Sequence, residues 1–165
     1  MTVEVAALRP GHAGELYTLQ RAAYVGEAQR YHEPGIPPLA ETLDEVRADI
    51  ASPRVVTLGA WLGSRLVGAV RGRPDGDRME VARVAVAPDL QGQGIGSRLL
   101  AAVEDAAPPG VAVLWLVAAS RSDGNVRLYR RVGYRTVGTA VDHLGIELLR
   151  MEKRVSVPGP VPARR

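Results

Sequence analysis

The residues with the sharpest chemical spacing are Gln91-Gly92-Gln93-Gly94-Ile95-Gly96. They follow an apolar run ending at Ala87-Pro88 and open a stretch in which Ile95, Leu99, Ala102, Val103 and Ala106 recur at helical spacing. A strand, a glycine loop and a helix start in succession make an anion site. Free N–H groups point out of a helix N-terminus, and glycines let a diphosphate approach them without side-chain obstruction. The dipole contributes only about 0.3 to 2 kcal/mol per favourable charge, so several aligned N–H groups are needed. Two common phosphate loops do not fit. A dinucleotide loop requires a third glycine where Ser97 stands and an acid ending the next strand, which reads Val117-Ala118-Ala119. A nucleoside-triphosphate loop requires Gly-Lys-Ser/Thr, and this segment has no lysine.

Two further places carry chemistry. Asn125, Leu128, Tyr129 and Val132 recur at i, i+3, i+4 and i+7, so one helical stripe joins an amide and a phenol to apolar neighbours. An amide buried there needs a partner, and a bound ligand would supply one. Glu80 stands eleven residues before Gln91 and alternates with Ala82, Val84 and Val86 on an otherwise apolar row. On its own it reads as a carboxylate at a solvated strand end or as one half of an ion pair with Arg78 or Arg83. The chain has no cysteine, and His12, His32 and His143 lack ligand spacing, so neither a thiol nucleophile nor a metal is expected.

Gln91, Gly94 and Gly96 match Gln/Arg-x-x-Gly-x-Gly/Ala, the coenzyme A loop of the GCN5-related N-acetyltransferases, and the chain resembles that family from about Val55 through Lys153. Asn125 to Tyr134 is similar to the family's Asn-x-x-Ala-x-x-x-Tyr-x-x-x-Gly-Phe but is shorter between Asn and Tyr. The resemblance implies an α/β (α+β) fold with a mixed, mostly antiparallel central sheet of six to seven strands. About four helices would flank a sheet splayed after its fourth strand. Acetyl-coenzyme A is the implied co-substrate. Its pantetheine arm would lie in the gap against Val84, Ala85 and Val86, and its diphosphate on Gln91, Gly92, Gln93, Gly94, Ile95, Gly96 and Ser97, with Asn125 as a further contact. Glu80 is the implied general base, and Tyr129 the acid that protonates the departing thiolate.

A primary amine with a lysine-like pKa is neutral only about once in 10³ to 10⁴ molecules at pH 7, so attack on a thioester requires proton removal. With no cysteine to form an acyl-enzyme, the simplest reaction is direct attack by the amine in a ternary complex. The expected function is therefore acetyl transfer from acetyl-coenzyme A to a primary amine, on a small molecule or a peptide. Family likeness assigns the acceptor site to Tyr24 to Leu39 and Ala140 to Ile146, where Tyr31, His32, Glu33, Asp142 and His143 do not select among peptide, polyamine, aminoglycoside and amino acid. The competing reading is a catalytically silent acyl-coenzyme A sensor or interaction module, which would bind without turnover.

Val3 to Leu8 is a strand, and His12 to Tyr24 and Glu41 to Ile50 are helices separated by a Glu33-Pro34-Gly35-Ile36-Pro37-Pro38 loop. Val55 to Leu62, Arg65 to Arg73 and Met79 to Ala87 form an antiparallel meander with turns at Gly63-Ser64 and Pro74-Asp75-Gly76-Asp77. After the glycine loop, a helix runs until Pro108-Pro109-Gly110, and Val111 to Val117 reads as a strand buried on both faces. Gly124 to Val132 is a short helix with Gly133 at its C-terminal cap, and Tyr134 to Thr139 and Ile146 to Lys153 are the last two strands.

The 165 residues fit one domain over residues 1–154, and 155–165, with three prolines and no periodicity, reads as a mobile tail. The longest apolar run, Val111 to Ala119, is too short to span a bilayer, and no secretory signal opens the chain, so a cytoplasmic location without membrane association is expected. Residues 150–165 carry five positive charges against one negative, and the whole chain carries +3, which leaves residues 1–149 at −1. A nucleic-acid partner is not expected from a folded body without a basic excess. A homodimer is compatible with the pattern.

Overall fold

The computed structural model describes residues 2–155, so all of the expected tail beyond Val155 lies outside the described residues. Seven strands form one sheet in the order β1-β2-β3-β4-β5-β7-β6. They are β1 (Glu4–Ala7), β2 (Val56–Leu62), β3 (Arg65–Asp75), β4 (Arg78–Val86), β5 (Val113–Ala119), β6 (Arg135–Val141) and β7 (Glu147–Arg154). Every neighbouring pair is antiparallel except β4 and β5. The helices are α1 (Ala13–Tyr31), α2 (Pro37–Ala40), α3 (Leu43–Ala51), α4 (Ile95–Asp105) and α5 (Asp123–Arg131).

The pairing of β4 with β5 stops after Arg78↔Val113, Met79↔Leu114 and Glu80↔Trp115, although both strands continue. The sheet therefore opens into a wedge after its fourth strand, as expected. A bulge bends β4 as the wedge opens: its register against β3 shifts between Ala69 and Arg71, and Arg83 takes a left-handed φ of 54°. This corrects the simple alternation read from sequence. Glu80 and Ala82 lie opposite Arg73 and Arg71, but Ala85 then lies opposite Ala69 and Val86 opposite Gly68, so Glu80 and Val86 face opposite sides.

Helix α4 packs on one side of β3 so closely that a Cβ on Gly68 would lie 2.9 Å from Leu99 Cδ1 and 3.0 Å from Ile95 Cγ2. Leu99, Val103, Met79 and Leu114 are fully buried in this layer. Helices α1 and α3 cover the other side. Thr42 caps α3, accepting a hydrogen bond from Glu45 N at 3.2 Å while Glu45 Oε2 accepts one from Thr42 N at 2.9 Å.

Three expectations about local structure need correction. Helix α1 continues to Tyr31, seven residues past its expected end at Tyr24. The apolar spacing lapses there because Tyr24, Glu27, Arg30 and Tyr31 face the wedge and its cavities rather than a dry core. Within the proline-rich loop, Pro37 and Pro38 start a helical turn, where a missing N–H costs nothing. Strand β5 buries Leu114, Leu116 and Ala118 on one face, whereas on the other only Ala119 at its end is buried; Val117 is 50% exposed and Trp115 lies half-buried beneath the Arg150 guanidinium. Val117 is apolar yet accessible because it lines a cavity.

Candidate active site

The glycine loop joins the end of β4 to the start of α4. Gly92 and Gly94 adopt left-handed φ values of 77° and 85°, which L side chains avoid, and a Cβ added to either would meet no protein atom within 4 Å. The loop is an open cradle. Gly94 is the N-cap of α4, so the first N–H groups of that helix have no intrahelical partner and face outward. Gln91 Nε2 donates back to Val86 O at 3.4 Å, and buried Ile95 and Leu99 anchor the helix beneath.

Above the cradle lies a cavity of about 500 Å³ lined by Val84–Val86, Gln91, Gly92, Gly94–Ser97 and Asn125. These are all of the expected coenzyme-contacting residues except Gln93. The cationic side chains Arg30, Arg127 and Arg131 also line it, and sequence reading did not single them out. Asn125 is exposed in the first turn of α5, while Val126 and Tyr129 form the buried stripe, so the expected burial of the amide is corrected.

A second cavity, of about 190 Å³, lies on the α1 and α2 side of the wedge and takes in Glu80, Tyr129, Tyr31 and Asp142. Of the residues expected around an acceptor, His32, Glu33 and His143 do not line it. His32 is instead the left-handed C-cap of α1, and Glu33 Oε1 accepts from Gly35 N at 3.0 Å. The two cavities share Tyr24, Glu27, Val84 and Asn125. At this waist Tyr24 donates its hydroxyl hydrogen to Val84 O at 2.8 Å, which ties α1 to β4. Ser122 Oγ donates to Glu27 Oε1 at 2.6 Å and Arg121 N donates to Tyr31 Oη at 2.8 Å, tying the same helix to the turn after β5. Helix α1 thus spans the wedge between its two arms.

The Tyr129 hydroxyl has no hydrogen-bond partner among the described residues, and its ring packs edge-on to Tyr134 at 6.1 Å. Burial, with the nearby Tyr24, Glu27 and Tyr134, pushes its pKa well above 10, so it stays a proton donor through the physiological range. Glu80 accepts from Arg73 Nη1 at 3.4 Å; its ion-pair partner is Arg73, neither Arg78 nor Arg83.

Arg73 also bonds Asp49, which belongs to a buried network centred on Arg71. Arg71 is 1% exposed and donates to Glu41 Oε2 at 2.9 Å, Asp49 Oδ2 at 2.8 Å and Gln20 Oε1 at 2.9 Å. Gln20 in turn donates to Pro38 O at 2.9 Å, which fixes the Pro37-Pro38 wall of the smaller cavity. Burial would raise the pKa of Glu41, but the Arg71 hydrogen bonds and charge outweigh it and hold the carboxyl below its usual range.

Ser122, 3% exposed, stands seven residues before Tyr129, the Asn-to-Tyr spacing of the family motif. That spacing is the sequence signal that singles out Ser122. Glu27 carried no local signal at all.

A family model described as Acetyltransferase (GNAT) domain matches residues 27–155. The N-alpha-acetyltransferase RimI of Mycobacterium tuberculosis is 38% identical over 94 residues, which cover 54% of this chain and 58% of that protein. The match thus spans little more than half the length of this curated relative. Among solved structures, the PaiA N-acetyltransferase from Thermoplasma acidophilum in complex with coenzyme A superposes with a TM-score of 0.78 at 20% identity over 93% of this chain and 99% of that one. The ribosomal-protein-S18-alanine N-acetyltransferase from Escherichia coli gives 0.77 at 18% identity over 96% and 97%. At these identities the superpositions show a shared fold.

Proposed function

The chain belongs to the GNAT acetyltransferase family, and on that premise we propose that it transfers the acetyl group of acetyl-coenzyme A to the terminal α-amine of a peptide or protein. The observation that carries this reading is the pair of cavities meeting at Tyr24, Glu27, Val84 and Asn125. One cavity has the cradle a diphosphate needs, and the other opens at the point where a thioester threaded through the wedge would end. In this reading Val84–Val86, Gln91–Ser97 and Asn125 hold the coenzyme, which supplies the activated acetyl group.

The acceptor class follows from size and charge. A cavity of about 190 Å³ is smaller than the roughly 300 to 1,000 Å³ that encloses a drug-sized ligand, and suits the first residue of a longer chain. Glu27 and Asp142 line it, and neither has an ion-pair partner among the described residues, so the cavity draws an ammonium group. Support also comes from the relatives named above, one an N-alpha-acetyltransferase and one acting on an alanine of a ribosomal protein.

The chain's own residues would act by positioning and by proton handling. Tyr24 and Val84 hold the waist at fixed width, Tyr129 gives its proton to the departing sulfur, and Glu80 with Arg73 forms the floor beneath the acceptor. Register between two bound reactants supplies most of the rate, with acid and base adding about 10² to 10⁴ each.

The test is coenzyme A thiol release from the full chain with an alanine-initiated peptide amide, a polyamine, an aminoglycoside and a free amino acid. The peptide should turn over at least about tenfold faster than the others. Faster polyamine turnover would replace the acceptor class. Tight coenzyme binding with no turnover on any amine would leave the silent binding module in its place.

A further inference from the structure

Three carboxylates line the acceptor cavity, Glu27, Glu80 and Asp142, and their surroundings differ. Glu80 sits opposite Trp115 in the last β4–β5 pair, at the closed end of the wedge, and is engaged by Arg73. Glu27 sits at the waist and lines both cavities. One of its oxygens accepts from Ser122 Oγ at 2.6 Å, and no cation pairs with it among the described residues. Tyr24 on α1 and Tyr129 on α5 both feel the Glu27 charge.

We propose that Glu27, and not Glu80, faces the acceptor nitrogen and takes its proton. This rests on the acetyl-transfer reading above and assigns that reaction a base outside β4. The ammonium of the acceptor gives one proton to the Glu27 carboxylate, which passes it to solvent. The neutral nitrogen then forms the C–N bond, the C–S bond breaks, and the thiolate takes the Tyr129 proton. Tyr129 recovers a proton from the nitrogen as the amide forms, so one proton is released per turnover. The Ser122 hydroxyl orients the carboxylate, and α1, tied across both arms of the wedge, holds it at the junction.

The charged and titratable groups around Glu27 are Tyr24, Arg30 and Tyr31 on its own helix, Arg73 on β3, Glu80 and Arg83 on β4, Arg127, Tyr129 and Arg131 on α5, and Asp142 after β6. None replaces it as a proton acceptor at the waist: the arginines are cations, Tyr24 and Tyr129 stay protonated, Tyr31 Oη accepts from Arg121 N, Glu80 is engaged by Arg73, and Asp142 Oδ1 is held by Leu144 N and Ile146 N at 2.9 and 3.0 Å.

The experiment compares Glu27→Gln and Glu80→Gln in the full chain, with an alanine-initiated peptide amide as probe. Binding comes first, by calorimetry of the peptide on protein saturated with coenzyme A, where no chemistry occurs. Glu27→Gln should weaken the peptide by about tenfold and Glu80→Gln by less than about threefold, with acetyl-coenzyme A affinity and melting temperature unchanged in both. In turnover, Glu27→Gln should lose about 10 to 10² at pH 7 and regain most of it by pH 9, where an α-amine of pKa about 8 is already neutral. Glu27→Asp, which keeps a carboxylate, should exceed the Gln variant by about tenfold at pH 7. Parental binding and rate in Glu27→Gln, equal rates for its Asp and Gln variants, or a pH-rescued loss in Glu80→Gln would each overturn the assignment. Absence of turnover in the parent would overturn the transfer reading itself, and this assignment with it.

Discussion

The two cavities that meet at the waist are built in opposite ways. The larger takes about half of its lining from the single stretch Val84–Ser97 and presents its glycine loop as backbone. The smaller is assembled from α1, α2, β3, β4, β5, α5 and the β6–β7 connection, and presents side chains held by ion pairs. A backbone site serves a ligand that does not vary. A side-chain site can be rebuilt position by position for a different acceptor while the first stays intact.

The largest expected effect strikes the smaller cavity alone. Arg71→Met removes the cation that bonds both Glu41 and Gln20 and leaves Glu41 only Arg83, at 3.6 Å, and the loss of one partner of a buried pair costs about 3 to 5 kcal/mol in urea denaturation. A cost below about 1 kcal/mol would mean that the ion network does not hold the Pro37-Pro38 wall. Next comes the larger cavity. Gly94→Val forces a branched side chain into a left-handed position and fills the cradle, so calorimetric affinity for acetyl-coenzyme A should fall by at least about 10² in a folded protein. Parental affinity would remove the loop from the site.

Tyr129→Phe is smaller again and acts within the smaller cavity. The rate at saturating acetyl-coenzyme A should fall by about 10 to 10², since a thiolate with a parent pKa near 8.5 departs without full protonation. Coenzyme affinity and melting temperature should hold. A drop in melting temperature with unchanged turnover would assign the hydroxyl to packing.

The smallest effects come from pH. Because the folded pKa of Glu41 is depressed, its contribution to stability is present above the usual value of 4.5 and is lost as pH falls through the folded value. Tyr24, Tyr129 and Tyr134 are all raised, so their contribution is present below pH 10 and is lost as pH rises above it. Denaturation midpoints should therefore hold steady between about pH 6 and 9 and decline outside that range, and Arg71→Met should flatten the acid limb.

The same contrast explains what the sequence made legible. Gln91 to Gly96 spells a strand end, a cradle and a helix start within a few residues, and the Gly63 turn and the period-two runs around it mark the meander. Local rules reach that far. Glu27 lies in a helix half whose polar inner face looks like solvent exposure until β4 and β5 separate beneath it. Arg71 sits in an apolar strand with partners 22 to 51 residues away, and nothing local announces them. The bulge at Arg83 breaks an alternation that reads as continuous from Glu80 to Val86, because a left-handed arginine carries no glycine to signal it. Tyr129 is a candidate through family resemblance and spacing, but its place in the smaller cavity depends on all of these elements together.

The most direct test of two reactants meeting at Tyr24, Glu27, Val84 and Asn125 is the affinity of a conjugate. Coenzyme A joined through an acetyl bridge to the α-nitrogen of an alanine-initiated peptide would fill both cavities at once. Linking the halves makes the second contact intramolecular, so the conjugate should bind at least about 10²-fold more tightly than coenzyme A alone. An affinity within about threefold of coenzyme A would contradict the account, because the peptide half would then gain nothing from the smaller cavity.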